Sequence, residues 1–263
     1  MSKWLASEKF SKSLQLKNPI LIEGLPGIGN VGKIAIDYII ENVKPTLIYQ
    51  LHSHSFPHSV FLTEENTIEL PSVKIYKHKG ADRDILLLGG DVQPLDEVSS
   101  YEFCEQVLNF AEKVGCKEII TLGGIGMPNP VKEPKVFGAV TSKIALKKYS
   151  KYKNIDFKIN QKIEAIVGAT GLLLGLANLR GIEGVSLLAE TRAHQMHLGF
   201  NEAKILVENL NNILDLKVDV KELEKATEDE SGQKKTESKI EKEIKPTKNK
   251  LLKYSEGGVY YIS

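Results

Sequence analysis

Four apolar, strand-like runs of this chain end in glycine: Gly24-Leu-Pro-Gly-Ile-Gly-Asn-Val-Gly32, Gly89-Gly90, Gly123-Gly124-Ile-Gly126 and Gly168-Ala-Thr-Gly171. Glycine between a strand and a helix suits phosphate binding, because backbone N–H groups at a helix N-terminus can approach an anion closely there. Gly27-x-Gly29-x-x-Gly32 fits a dinucleotide fingerprint, and Gly27-x4-Gly32-Lys33 fits most of a P-loop. Both matches fail on the residues that would do the chemistry. Ile34 stands where a P-loop needs a hydroxyl for magnesium, and the next strand runs out in Gln50-Leu51-His52-Ser53 without the acid that takes ribose hydroxyls. The glycines therefore read first as residues of a tight turn and of close helix-to-strand packing. The alternative is an enzyme or small-molecule binder using the crevice at the strand carboxyl ends, lined by Gly27, Gly29, Gly32, Asp91, Gly124 and Gly171.

The titratable residues add little to that alternative. His52, His54 and His58 are close in sequence but have no adjacent acid or thiol, and His194 and His197 would share a helical face with only Glu190 near them. They read as surface or loop histidines, and no metal or other cofactor is expected. Glu23, Asp91, Glu190 and Arg192 fall at strand ends, where acid–base residues sit but where caps and salt bridges are also common. No Gly-x-Ser-x-Gly elbow and no nucleophile–base pair can be assigned, so no catalytic residue is named. Cys104 and Cys116 read as small buried thiols of a reducing compartment.

The elements that must position these residues alternate. Ile-, Leu- and Val-rich runs at Pro19–Leu25, Thr46–Leu51, Asp84–Leu88, Glu118–Leu122, Glu164–Val167 and Val185–Ala189 predict strands. Helical periodicity covers Asn30–Asn42, Asp96–Val114 with Asp96 as N-cap and Gly115 as stop, Val140–Tyr152, Thr170–Leu179 and Asn201–Leu214. Strands so continuously apolar need cover on both faces, which predicts an α/β fold with a mostly parallel sheet between helices. Glu64-Glu65-Asn66 between two strand-like stretches predicts a hairpin and an antiparallel excursion within Ser59–Lys79.

Of 263 residues, 41% are hydrophobic and 26% charged, as in an ordinary globular chain. With 35 basic against 34 acidic residues, no global field exists to hold nucleic acid or an anionic membrane, and neither is expected as a partner. No apolar run approaches the ~20 residues of a membrane span, and Met1-Ser-Lys-Trp-Leu-Ala-Ser-Glu-Lys lacks a signal-peptide core, which predicts a cytoplasmic protein. The composition divides the chain into an N-terminal extension (1–17), a core (18–216), a charged helix or tether (217–250) and a terminal segment (251–263). Lys221–Lys250 holds nine lysines, eight acids and almost no apolar face. Beyond Gly257-Gly258 the chain becomes apolar and aromatic again in Val259-Tyr260-Tyr261-Ile262, a tethered end suited to reaching a partner. Helix Thr170–Leu179 is apolar on nearly every side, which points to self-association.

Taken together, the glycine segments, Gly89-Gly-Asp-Val-Gln-Pro94, Thr121-Leu-Gly-Gly-Ile-Gly126, Gly168-Ala-Thr-Gly-Leu-Leu-Leu-Gly175 and Val185-Ser-Leu-Leu-Ala-Glu-Thr191, resemble the archaeal proteasome assembly chaperone family, the PbaA/PbaB-like homologues. The resemblance spans nearly the whole core in order. It implies a core like that of nucleoside phosphorylases used as a non-enzymatic binding platform, a homo-oligomer, and a partner in the proteasome core particle α subunits or a related family member. It also implies that Val259, Tyr260, Tyr261, Ile262 and Ser263 engage that partner, since members can end in a hydrophobic-Tyr-any tripeptide that docks between α subunits. This chain departs from that pattern: Ile262 is penultimate and Tyr261 lies one position early.

Overall fold

The computed structural model describes residues 3–10, 14–94, 96–194 and 197–233. The strands are β1 (Trp4–Glu8), β2 (Ile20–Gly24), β3 (Thr46–Ser53), β4 (Phe61–Leu62), β5 (Ile68–Glu69), β6 (Val73–Lys79), β7 (Asp84–Gly90), β8 (Glu118–Met127), β9 (Val136–Val140), β10 (Ile155–Asp156) and β11 (Glu183–Arg192). The helices are α1 (Val31–Val43), α2 (Glu97–Lys113), α3 (Lys143–Tyr149), α4 (Ala169–Leu179), α5 (Phe200–Leu214) and α6 (Lys221–Gln233). Nine strands form one sheet in the order β1-β3-β6-β7-β2-β8-β11-β9-β10. Its centre, β7-β2-β8-β11, is parallel. Antiparallel strands flank it: β6, β3 and β1 on one side and β9 on the other. The α/β class with helices on both faces holds, with the parallel pairing concentrated in the middle of a mixed sheet.

Alternation along the strands decides which helix covers which face. Ile20 and Ile22 of β2 point into a core shared with α1, α3, α5 and the start of α6. Leu21, between them, points into the core under α2 and α4. Asp96 caps α2 by accepting the Ser99 amide at 2.9 Å, and Gly115, at φ +76°, follows its end. The expected hairpin is present: β4 and β5 pair antiparallel across Glu64-Glu65-Asn66, with Asn66 at φ +58°.

Two sequence expectations are corrected. Glu164–Val167 is not a strand; Ile163 and Ile166 instead cover Ile125, Phe137 and Leu188 from a loop, and β9 takes the place beside β11. The expected helix Val140–Tyr152 shortens to α3, because Val136–Val140 pairs with β11 and Ser142 caps the helix from the Ile144 and Ala145 amides. Packing also continues past the compositional break at Lys217. Leu216, Val218 and Leu223 are buried and Ala226 packs beside them, so α6 has an apolar contact that its composition hides. The 1–17 segment supplies edge strand β1, with Trp4 packed against Phe56 and Phe103. Residues 234–250 of the charged segment, the 251–263 segment and its Val259–Ser263 anchor lie outside the described residues.

Candidate functional site

The loop Gly24–Lys33 lies at the carboxyl end of the parallel strands, where a ligand crevice is expected. Its glycines let backbone meet backbone. A Cβ on Gly32 would overlap the Leu122 carbonyl of β8, and one on Gly24 would overlap the Gly32 carbonyl, so α1 starts directly on β2 and β8. Gly29, at φ +63°, faces Thr191 of β11, and its carbonyl accepts the Gly199 amide at 2.8 Å. Gly124 packs on the Ile28 carbonyl and Thr191. The fold thus brings Gly29 and Gly124 against Thr191 and Gly32 against Leu122. Gly27 is exposed and extended, Asp91 is exposed beyond β7, and Gly171 sits one turn into α4 against the Ile166 carbonyl.

Phosphate-binding parts of this loop are turned to other uses. Lys33 Nζ bonds Asp37 at 2.9 Å and the Gly90 carbonyl at 3.0 Å, which ties α1 to the end of β7. Gln93 spans the crevice: its amide donates to the Pro26 carbonyl, and its Oε1 accepts the Ala169 amide at 3.1 Å. One of the orphan N-terminal donors of α4 is therefore satisfied by a side chain. The Gly89–Pro94 segment contained Gln93, but sequence spacing could not show that it would reach two loops about 70 residues away in each direction.

Glu23 is wholly buried at the end of β2, in register with Thr121 of β8. Its Oε1 accepts the Leu25 amide at 3.1 Å, and its Oε2 has no hydrogen-bond partner among the described residues. Burial pushes its pKa up to about 8, with the Leu25 amide pulling the other way, so the carboxyl is protonated at neutral pH. No solvent-borne molecule reaches it. Glu190 is buried and bonded to Lys162 at 3.1 Å and to the Lys135 amide. His194 and His197 lie in the loop before α5 rather than on a helix, and His197 Nε2 is 3.1 Å from Glu202. No group of three or more metal-ligating side chains occurs among the described residues. Cys104 and Cys116 are buried free thiols, and burial pushes Cys104 up to about 12, outside the reactive range.

Two pockets among the described residues lie away from this loop. A pocket of about 200 Å³ sits at the amino ends of the central strands beside Arg83, Glu118, Lys148 and Tyr149. Glu118 binds Arg83 at 2.5 Å, the Tyr149 hydroxyl at 2.7 Å, and Lys148. Burial raises its pKa, but these three bonds outweigh burial and hold the carboxylate below its usual range. A shallower pocket of about 410 Å³ lies between β10 and α5. No helix among the described residues is long and apolar enough to cross a membrane.

Residues 21–235 match the PAC2 family. The chain belongs to that family. An uncharacterized protein of Methanocaldococcus jannaschii is 33% identical over 210 residues, covering 80% of this chain and 79% of its own length. The crystal structure of Pyrococcus furiosus PbaB, described as an archaeal proteasome activator, superposes with a TM-score of 0.82 at 34% identity, covering 90% of this chain and all of that one. Pyrococcus furiosus PbaA, described as an archaeal homolog of proteasome-assembly chaperone, gives 0.70 at 26% identity, with 89% and 94% covered. The resemblance carried by the glycine segments thus points to the right family, and those segments are the ones packed around the start of α1 and α4.

Proposed function

We propose that this PAC2 chain is a non-enzymatic, cytoplasmic, proteasome-assembly-chaperone-like protein. It self-associates through its core and engages proteasome core α subunits, or a related family member, through Val259–Ser263. The observation that carries this reading is the likeness to PbaB, at 34% identity along the whole of that chain. The crevice chemistry agrees with it: Lys33, Gln93 and the loop glycines hold the protein's own backbone, and Glu23 is sealed from solvent. An apolar aromatic cluster such as Tyr260-Tyr261-Ile262 gains nothing in water, whereas burial in a partner pocket is worth several kcal/mol in general. Several copies on one oligomer would multiply weak sites by avidity.

The test is capture of archaeal proteasome core particles by the full chain and by a chain lacking Val259–Ser263. The full chain should retain the particles and the truncated chain should lose them, with Tyr261→Ala weakening capture more than Ser263→Ala. Equal capture by the truncated chain would assign partner binding to the core instead.

A further inference from the structure

The β4–β5 hairpin is detached from the main sheet, and its two strands pair only with each other among the described residues. The Thr63 amide to the Thr67 carbonyl, at 2.9 Å, and the two threonine hydroxyls, 2.8 Å apart, hold its turn. Yet Val60, Phe61, Leu62, Ile68 and Leu70 are all exposed, Leu62 at 74% and Ile68 at 68%. A lone two-stranded hairpin is marginal in water, and so dense an apolar patch on one is typical of an interaction site. Every charge within 60–70 is negative: Glu64, Glu65 and Glu69.

A surface of opposite character exists at α3. Its buried side is Ala145 and Tyr149, while Ile144 at 74% and Leu146 at 38% are exposed on either flank. Lys143, Lys147, Lys148, Lys151 and Lys153 all fall within 143–153, which contains no acid; Lys148 is paired with Glu118, and the other four are exposed. The two surfaces cannot meet within one chain. The hairpin leaves the sheet at the carboxyl end of the central strands, since it joins Leu51 and Val73, which align with Gly90 of β7. α3 leaves at the amino end on the opposite flank, since β9 finishes at Val140 opposite Val185, and Tyr149 bonds Glu118, the first residue of β8.

We propose that the β4–β5 hairpin of one copy docks on α3 of the next copy, apolar surface on apolar surface with its glutamates against the α3 lysines. This rests on the self-association proposed above and supplies its interface. Hairpin-on-hairpin pairing would set like charges together, so the contact is head-to-tail, and copies repeat it into a closed ring or an open chain.

The test is a charge swap read by light scattering and sedimentation on the full chain. Glu65→Lys with Glu69→Lys makes the hairpin variant, net positive over 60–70, and Lys143→Glu with Lys147→Glu and Lys151→Glu makes the α3 variant, net negative over 143–153, with circular dichroism confirming that each folds. Each alone should fall toward the single-chain mass of 29.2 kDa under conditions where the parent is associated. An equimolar mixture should recover association, because each variant's hairpin then meets an opposite charge on the other's α3. The chain carrying all five substitutions should also assemble. A monomeric parent would overturn both this interface and the self-association reading. An associated parent whose two variants keep its mass would overturn the interface alone, as would folded, dissociated variants that stay apart when mixed. Loss of proteasome capture in the hairpin variant with its mass unchanged would assign the hairpin to the partner and overturn the proposal.

Discussion

Glu23 is the most sharply testable residue. Its carboxyl ordinarily titrates near 4.5 and in the folded chain near 8, so between those values the folded state binds a proton that the unfolded state has released. Stability carried by this group is complete below about 4.5 and is lost as pH rises toward 8, at up to ~1.4 kcal/mol per pH unit. Glu23→Gln keeps the shape without the titration. Thermal melts from pH 5.5 to 8.5 should show the parent losing stability more steeply than the variant, with the variant the more stable at the alkaline end. Parallel curves would mean that Glu23 stays ionised in the fold. Glu118 differs: buried like Glu23, it is held as a carboxylate by Arg83, Lys148 and Tyr149. Glu23 is sealed with no cation beside it, whereas Glu118 lines a pocket and has Arg83 and Lys148 bonded to it.

At the scale of elements, α6 is the informative case. Its first turns carry alternating charge, yet Leu223 is fully buried against the α1–α5 face, Tyr38 donates to the Asp219 carbonyl, and Asn211 holds Val218 through two bonds. Leu223, with Ala226 packed beside it, thus anchors a helix whose composition reads as solvated. Leu223→Ala removes a contact of the kind generally worth about 2–5 kcal/mol. Limited trypsinolysis followed by mass spectrometry should show cleavage at Lys221 and Lys225 rising at least about tenfold, while the melting of the nine-stranded body moves little. An unchanged cleavage rate would show that Leu223 does not anchor α6. The hairpin β4–β5 is the reverse case: its turn was readable from Glu64-Glu65-Asn66, but its detachment from the sheet was not.

At the scale of the molecule, the crevice reading and the platform reading separate cleanly. A ligand held by the glycine loops at a hundred times its dissociation constant would add ~2.7 kcal/mol to stability. ATP, NAD and nucleosides at millimolar concentration should leave the melting temperature where it is. A clear upward shift that Lys33→Ala abolishes would instead make the crevice a ligand site. Much of the body was legible beforehand, because buried parallel strands are continuous apolar runs and helices announce their caps: β2, β7, β8, β11, α1, α2, α4 and α5 all fall where periodicity and Asp96 or Gly115 place them. β9 and β10 were not, since Val136–Val140 and Ile155–Asp156 are too short to carry a period. The glycine segments by themselves identified the family and ruled against a P-loop, because Ile34 lacks a hydroxyl and no tertiary contact can supply one. Only the tertiary structure decided that Lys33 is turned onto Gly90, that Gln93 caps α4, that Glu23 is sealed in its protonated form, and that an acidic hairpin and a basic helix sit at opposite poles. Each of these depends on contacts between residues far apart in the chain, and such contacts leave no local period to read.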